Sequence, residues 1–98
     1  MELPDALIKA IESTHVAYQG LSHPLRFSGA RSDPGASGGH GSAVISVDTI
    51  HDGTTYRAQC RLPVDHLTDV PYVVEALAAA MRHVLTGETE PGAIVEHQ

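Results

Sequence analysis

The strongest constraint in this chain is a pair of alternating runs, Ala43–Ile50 and Thr55–Leu62, flanking His51-Asp52-Gly53-Thr54. Asp-Gly is favoured in two-residue type I′ turns, where both central residues need positive φ. With Asp52-Gly53 at the tip, the register follows. His51 stands opposite Thr54, Thr49 opposite Tyr56, Val47 opposite Ala58, Ile45 opposite Cys60, and Ala43 opposite Leu62. Beyond the turn, this face is apolar or aromatic except at Thr49, which marks it as the core side. The other face pairs Ile50 with Thr55, Asp48 with Arg57, Ser46 with Gln59, and Val44 with Arg61. Asp48 opposite Arg57 is a sensible exposed ion pair. Turn chemistry and face chemistry thus agree on one hairpin.

The segments around it are read from periodicity. Residues 4–19 predict a helix: Pro4 and Asp5 suit a first turn, and Leu7, Ile8, Ile11, His15 and Tyr18 recur at helical spacing. On that stripe His15 is expected to be a satisfied core histidine. His23 to Ser28 predicts a short strand with Leu25 and Phe27 on one side. Residues 28–42 hold five Gly, four Ser and one Pro, so they predict a flexible loop. Residues 69–86 predict a second helix. Val70, Val73, Val74, Leu77, Met81, Val84 and Leu85 form its stripe, Thr68 or Asp69 its cap, and Gly87 its stop. Ala93-Ile94-Val95 is too short to assign as a strand, so residues 88–98 are expected to be a loosely ordered acidic tail. These elements predict a single α+β domain over residues 1–98, in the order α–β–β–β–α. The expected architecture is a two-layer sandwich: an antiparallel sheet with both helices on one face. In topology alone this order resembles double-stranded-RNA-binding domains. Those rely on basic residues at the second helix start, where this chain has Thr68-Asp69-Val70-Pro71. No family is assigned.

Charge narrows the partners. Net charge is −6, and beyond residue 62 six acids face a single base, Arg82. That balance argues against nucleic acid, which needs cations to displace phosphate counterions. No apolar run is long enough to span a membrane, and the acidic Met-Glu-Leu-Pro-Asp start lacks a secretory pattern. Cys60 is the single cysteine. It excludes an internal disulfide and points to a reducing, cytoplasmic setting.

Motifs with catalytic chemistry do not survive their context. Gly35-Ala36-Ser37-Gly38-Gly39 fits G-x-S-x-G, but it lies in a Gly/Ser loop before an antiparallel hairpin. A nucleophilic serine needs a strand-to-helix turn instead. The same loop lacks the Lys-Ser/Thr ending of a phosphate cradle. The seven histidines are His15, His23, His40, His51, His66, His83 and His97. None pair at i+2, i+3 or i+4, where one element could chelate a metal. Convergence of distant segments is the one remaining route to a metal site. Cys60 faces the core in this register, as an inert packing group. No catalytic residue, cofactor or metal ligand is therefore assigned.

What remains is a surface. Arg26, Val44, Ser46, Asp48, Ile50, Arg57, Gln59 and Arg61 are expected on the outer sheet face, where arginine beside small apolar groups suits a protein contact. An RNA-reading sheet would need stacking aromatics, which this face lacks. The expected function is a non-enzymatic protein–protein interaction module (adaptor, accessory subunit or inhibitor) whose partner is another protein or a second copy in a homodimer. One alternative is a small acidic inhibitor or immunity-type protein of a mobile element, acting on a basic partner. Another is a small enzyme or metal binder that uses dispersed histidines.

Overall fold

The computed structural model describes residues 2–33 and 41–96. It is an α+β fold with two helices and two sheets. In chain order the elements are α1 (Asp5–Glu12), β1 (His15–Tyr18), β2 (Leu21–Pro24), β3 (Arg26–Asp33), β4 (Ser42–His51) and β5 (Thr54–Pro63). A 3₁₀ turn (Val64–His66), α2 (Val70–Leu85) and β6 (Ile94–Glu96) follow. β1 and β2 form one antiparallel sheet; the other runs β3-β4-β5-β6.

The central hairpin has the expected register throughout, from His51↔Thr54 to Ala43↔Leu62. Asp52 and Gly53 have φ of 53° and 77°, as a type I′ turn requires. Its inner residues Ala43, Ile45, Val47, Ala58, Cys60 and Leu62 are all buried. α2 also follows the sequence. Asp69 caps it by accepting a hydrogen bond from the Tyr72 amide (3.3 Å), and Pro71 sits in its first turn. Val73, Leu77, Met81 and Val84 face the same core as the hairpin. Full burial of each such aliphatic side chain is worth about 1.5–3 kcal/mol.

Four expectations are corrected. First, the helix over 4–19 ends at Glu12. Ser13 Oγ and Thr14 Oγ1 donate to the Lys9 and Ala10 carbonyls, each at 2.8 Å, and satisfy groups that a longer helix would have used. Beyond them the period changes to two: Val16 is buried while His15 and Ala17 are exposed. His15 is therefore not a core histidine. Second, the strand expected over His23–Ser28 is broken. β2 ends at Pro24 and β3 begins at Arg26, with buried Leu25 between them.

Third, residues 28–33 of the expected loop belong to β3, which pairs with β4 through a bulge between Phe27 and Gly29. Residues 34–40, including the whole Gly35–Gly39 motif, lie outside the described residues. Fourth, part of the tail is a strand, Ile94–Glu96, while residues 97 and 98 lie outside the described residues. β6 pairs parallel to β5 at Gln59, Cys60 and Arg61, which makes α2 the crossover that parallel neighbours need. The α–β–β–β–α order is thus replaced by one with six strands, and the sheet is mixed rather than wholly antiparallel. β6 also occupies the β5 edge over Gln59–Arg61.

Candidate functional site

Two places concentrate polar chemistry. The first is the outer face of the four-stranded sheet. Register places Arg26, Arg31 and Asp33 of β3, Val44, Ser46, Asp48 and Ile50 of β4, Arg57, Gln59 and Arg61 of β5, and Ile94 and Glu96 of β6 there. All eight sequence-derived contact residues are therefore on one face.

Most of its polar groups are tied to each other. Arg57 grips Asp48 through Nε–Oδ1 (2.9 Å) and Nη2–Oδ2 (3.2 Å), and Nη2 also donates to Ser28 Oγ (3.0 Å). Arg61 bridges Asp33 (2.9 Å) and Glu96 (2.8 Å), so it joins the third strand to the sixth across the sheet. Gln59 Oε1 accepts from Ser46 Oγ (3.0 Å) and Arg31 Nη1 (3.2 Å), while its amide donates to the Gly92 carbonyl (2.7 Å). Charge-assisted hydrogen bonds of this kind fix side-chain direction as well as charge. The Arg57 guanidinium is held above its ordinary range by hydrogen bonding to Asp48, then by that carboxylate's charge. For Arg61 the leading causes are its hydrogen bonds to Glu96 and Asp33.

Two members behave differently. Val44 lies on this face but is only 1% exposed, flanked by its register partners Arg31 and Arg61, so it contributes packing and no contact area. Ile50 is 55% exposed. Beside it, the Arg26 side chain has no hydrogen bond or ion pair among the described residues. Arg26, Phe27, Asp48 and Ile50 help to line a shallow cleft at this end of the sheet.

The second place escaped the sequence reading. His23, only 3% exposed, and half-buried His51 meet with Nε2 and Nδ1 2.9 Å apart. His23 Nδ1 lies 3.1 Å from the Val16 carbonyl, across the β1–β2 register. A carbonyl only accepts, so that nitrogen carries the proton and Nε2 of neutral His23 carries the lone pair. His51 Nδ1–H must then donate to it, which leaves His51 Nε2 as a free acceptor. Tyr18 packs edge-on to His51 (ring centroids 5.0 Å apart), and Tyr56 lies on another side at 6.5 Å. Just below, Thr49 Oγ1 donates to the Pro24 carbonyl at 2.9 Å, which accounts for the one polar residue on the inner face. Histidines 28 positions apart carry no spacing signal; only the hidden first hairpin brings them together.

Cys60 is 1% exposed, and burial raises its thiol from an ordinary value of 9.0 to about 11. A thiol held protonated is a packing group, not a nucleophile. Among the described residues no three His, Cys, Asp or Glu side chains form a metal-binding group, and no helix is long and apolar enough to cross a membrane. No protein-family model, curated protein or solved structure matches this chain.

Proposed function

We propose that this chain is a non-enzymatic protein–protein interaction module that binds through the outer face of the four-stranded sheet. The observation that carries this reading is Arg26, a cation whose side chain has no partner among the described residues, beside exposed Ile50 on a face whose other charged side chains are ion-paired or, for Arg31, hydrogen-bonded to Gln59. Arginine next to an apolar anchor is the composition of an interface hot spot. The crosslinked remainder supplies a pre-ordered surround, so docking loses little side-chain entropy there. The finer architecture in this reading is two layers with both helices on the inner face, which leaves the outer face to a partner. Four arginines outnumber three carboxylates on the face, in a chain whose formal charge is −6. A partner surface with a carboxylate next to an aliphatic or aromatic side chain fits it. That partner is a different protein that this chain recruits or inhibits, or a second copy in a homodimer. A lone buried Cys60 is in keeping with a reducing, cytoplasmic compartment.

The test compares capture from the native host by wild type, Ile50→Asp, Arg26→Glu and the distant control Arg82→Glu, each checked for folding by circular dichroism. A partner retained by wild type and Arg82→Glu but lost by both face variants supports the reading. Equal capture by all four, or self-association that none of them alters, overturns it.

A further inference from the structure

We propose that the hydrogen-bonded His23–His51 pair is an acid-sensitive latch between the first hairpin and the central one, which holds with one added proton and opens on the second. The latch does not depend on the outer-face reading, and its test uses no partner. Each ring of the neutral pair has one N–H. His23 Nδ1–H is committed to the Val16 carbonyl (3.1 Å), and His51 Nδ1–H to His23 Nε2 (2.9 Å). The free lone pair is on His51 Nε2, in the half-buried ring, so the first proton goes there. The imidazolium it forms still donates through Nδ1, and the bond becomes charge-assisted. A second proton has only His23 Nε2 left. Two N–H groups would then face each other across 2.9 Å, and two cations would touch, one of them only 3% exposed. The bond is lost, and the His51 ring is the one free to turn out to solvent.

The surroundings do not offset that second charge. Tyr18 of β1 and Tyr56 of β5 present uncharged phenol rings to His51. Pro24 of β2 and Thr49 of β4 close the seam with a hydrogen bond of their own. The side chains that α1 and α2 bury are all apolar. Asp52 follows His51 in the turn and is exposed. Among the described residues, no carboxylate forms an ion pair with either ring.

Once the rings have parted, each imidazole takes its proton without this conflict. The open form therefore binds one more proton than the closed one, and acid favours it by up to about tenfold per pH unit. The working interval is about pH 8 to 5, where histidine changes charge and carboxylates stay ionised. His51 follows Ile50, and Pro24 stands two residues before Arg26. The latch thus also holds the strand ends that carry the Arg26–Ile50 cluster.

The test takes the whole chain from about pH 7.5 to about pH 5. Long-range ¹H–¹⁵N spectroscopy follows the imidazoles, and amide hydrogen exchange, corrected for its intrinsic pH dependence, follows the strands. His51 should gain its Nε2 proton first, with the coupling to His23 kept. That coupling should vanish as His23 Nε2 is protonated. Amides of β1 and β2 should then exchange faster relative to those of β4 and β5, by up to about tenfold per pH unit, in wild type and in the exposed-site control His15→Gln. His23→Gln still offers Oε1 to the His51 Nδ1–H but takes up no proton, so its relative rates should stay flat. If that variant does not fold, the wild-type spectra and exchange rates decide. Protonation of His23 before His51, protonation of His23 without faster β1–β2 exchange, no proton on His23 by about pH 5, or acceleration that persists in His23→Gln would each overturn the proposal.

Discussion

The molecule contains two hairpins with the same turn and opposite legibility. Gln19-Gly20 joins β1 to β2 with φ of 52° and 76°; Asp52-Gly53 joins β4 to β5 with 53° and 77°. Both turns therefore have the positive φ at two successive residues that a type I′ turn demands. The second announces itself because each strand has ten residues and, apart from Val44, alternates between the two faces. The first has four residues a side, and Gln19 lacks the Asn or Asp that usually marks the position. Strong local preference and long alternation make a hairpin readable; a short one is imposed by what it packs against. Here that is the inner face, through buried Val16, His23 and Leu25.

The largest expected effects probe whether the two hairpins share one cooperative core. Ile45→Ala, in β4, should destabilise the protein by about 2–5 kcal/mol in urea denaturation. Val16→Ala, in β1, should lose roughly 2 kcal/mol, from two buried carbons and the space they leave. Both variants should keep a single transition. A separate early transition in the Val16 variant would show that the first hairpin is an appendage.

Cys60 reports the inner face of the second hairpin chemically. Its folded value of about 11 lies above the ordinary 9.0, so the folded state holds the thiol proton more tightly. The resulting stabilisation is present below about pH 9 and is lost as pH rises through about 11. At pH 8 the native thiolate population should be about a hundredfold below that of the unfolded chain. Labelling by a disulfide reagent should slow at least in proportion. Native labelling as fast as in urea would contradict the burial of that face.

The two turns can be compared directly. A Cβ added at Gly20 or Gly53 meets nothing within 4 Å, so only backbone conformation opposes it. Gly20→Val and Gly53→Val should each lose roughly 1–2 kcal/mol. A harmless Gly20→Val, measured beside Gly53→Val by thermal melting, would separate the two hairpins. A smaller effect is expected at their seam. Thr49→Val keeps the shape but removes the hydrogen bond to the Pro24 carbonyl, for about 1 kcal/mol.

How much of this was legible depends on whether local signals agreed. α2 was readable because its stripe, its Asp69 cap and its Gly87 stop coincide. The membership of the outer sheet face was readable because strand register alone assigns it, although Val44 proved to be covered. In the first segment, His15 and Tyr18 happen to continue the spacing of Leu7 and Ile11, so a helical reading ran past the Ser13-Thr14 stop. β3 reads as a loop because Gly29, Ser32 and Asp33 have poor strand propensity. Its backbone pairs with β4 all the same, and Arg31 and Asp33 anchor to Gln59 and Arg61. β6 has three residues and gains its place from partners far off, through Glu96 to Arg61 and the Gly92 amide to the Arg57 carbonyl (2.9 Å). Non-local pairing of this kind leaves no periodic trace.

The joint between the hairpins is where fold and site meet, and imidazole nitrogen spectroscopy of the metal-free protein at neutral pH tests it most directly. The expected spectrum shows both rings protonated at Nδ1, with a scalar coupling across the His51 Nδ1–H···Nε2 His23 hydrogen bond. A His23 ring protonated at Nε2, or His51 behaving as a free surface imidazole with no coupling to His23, would contradict it.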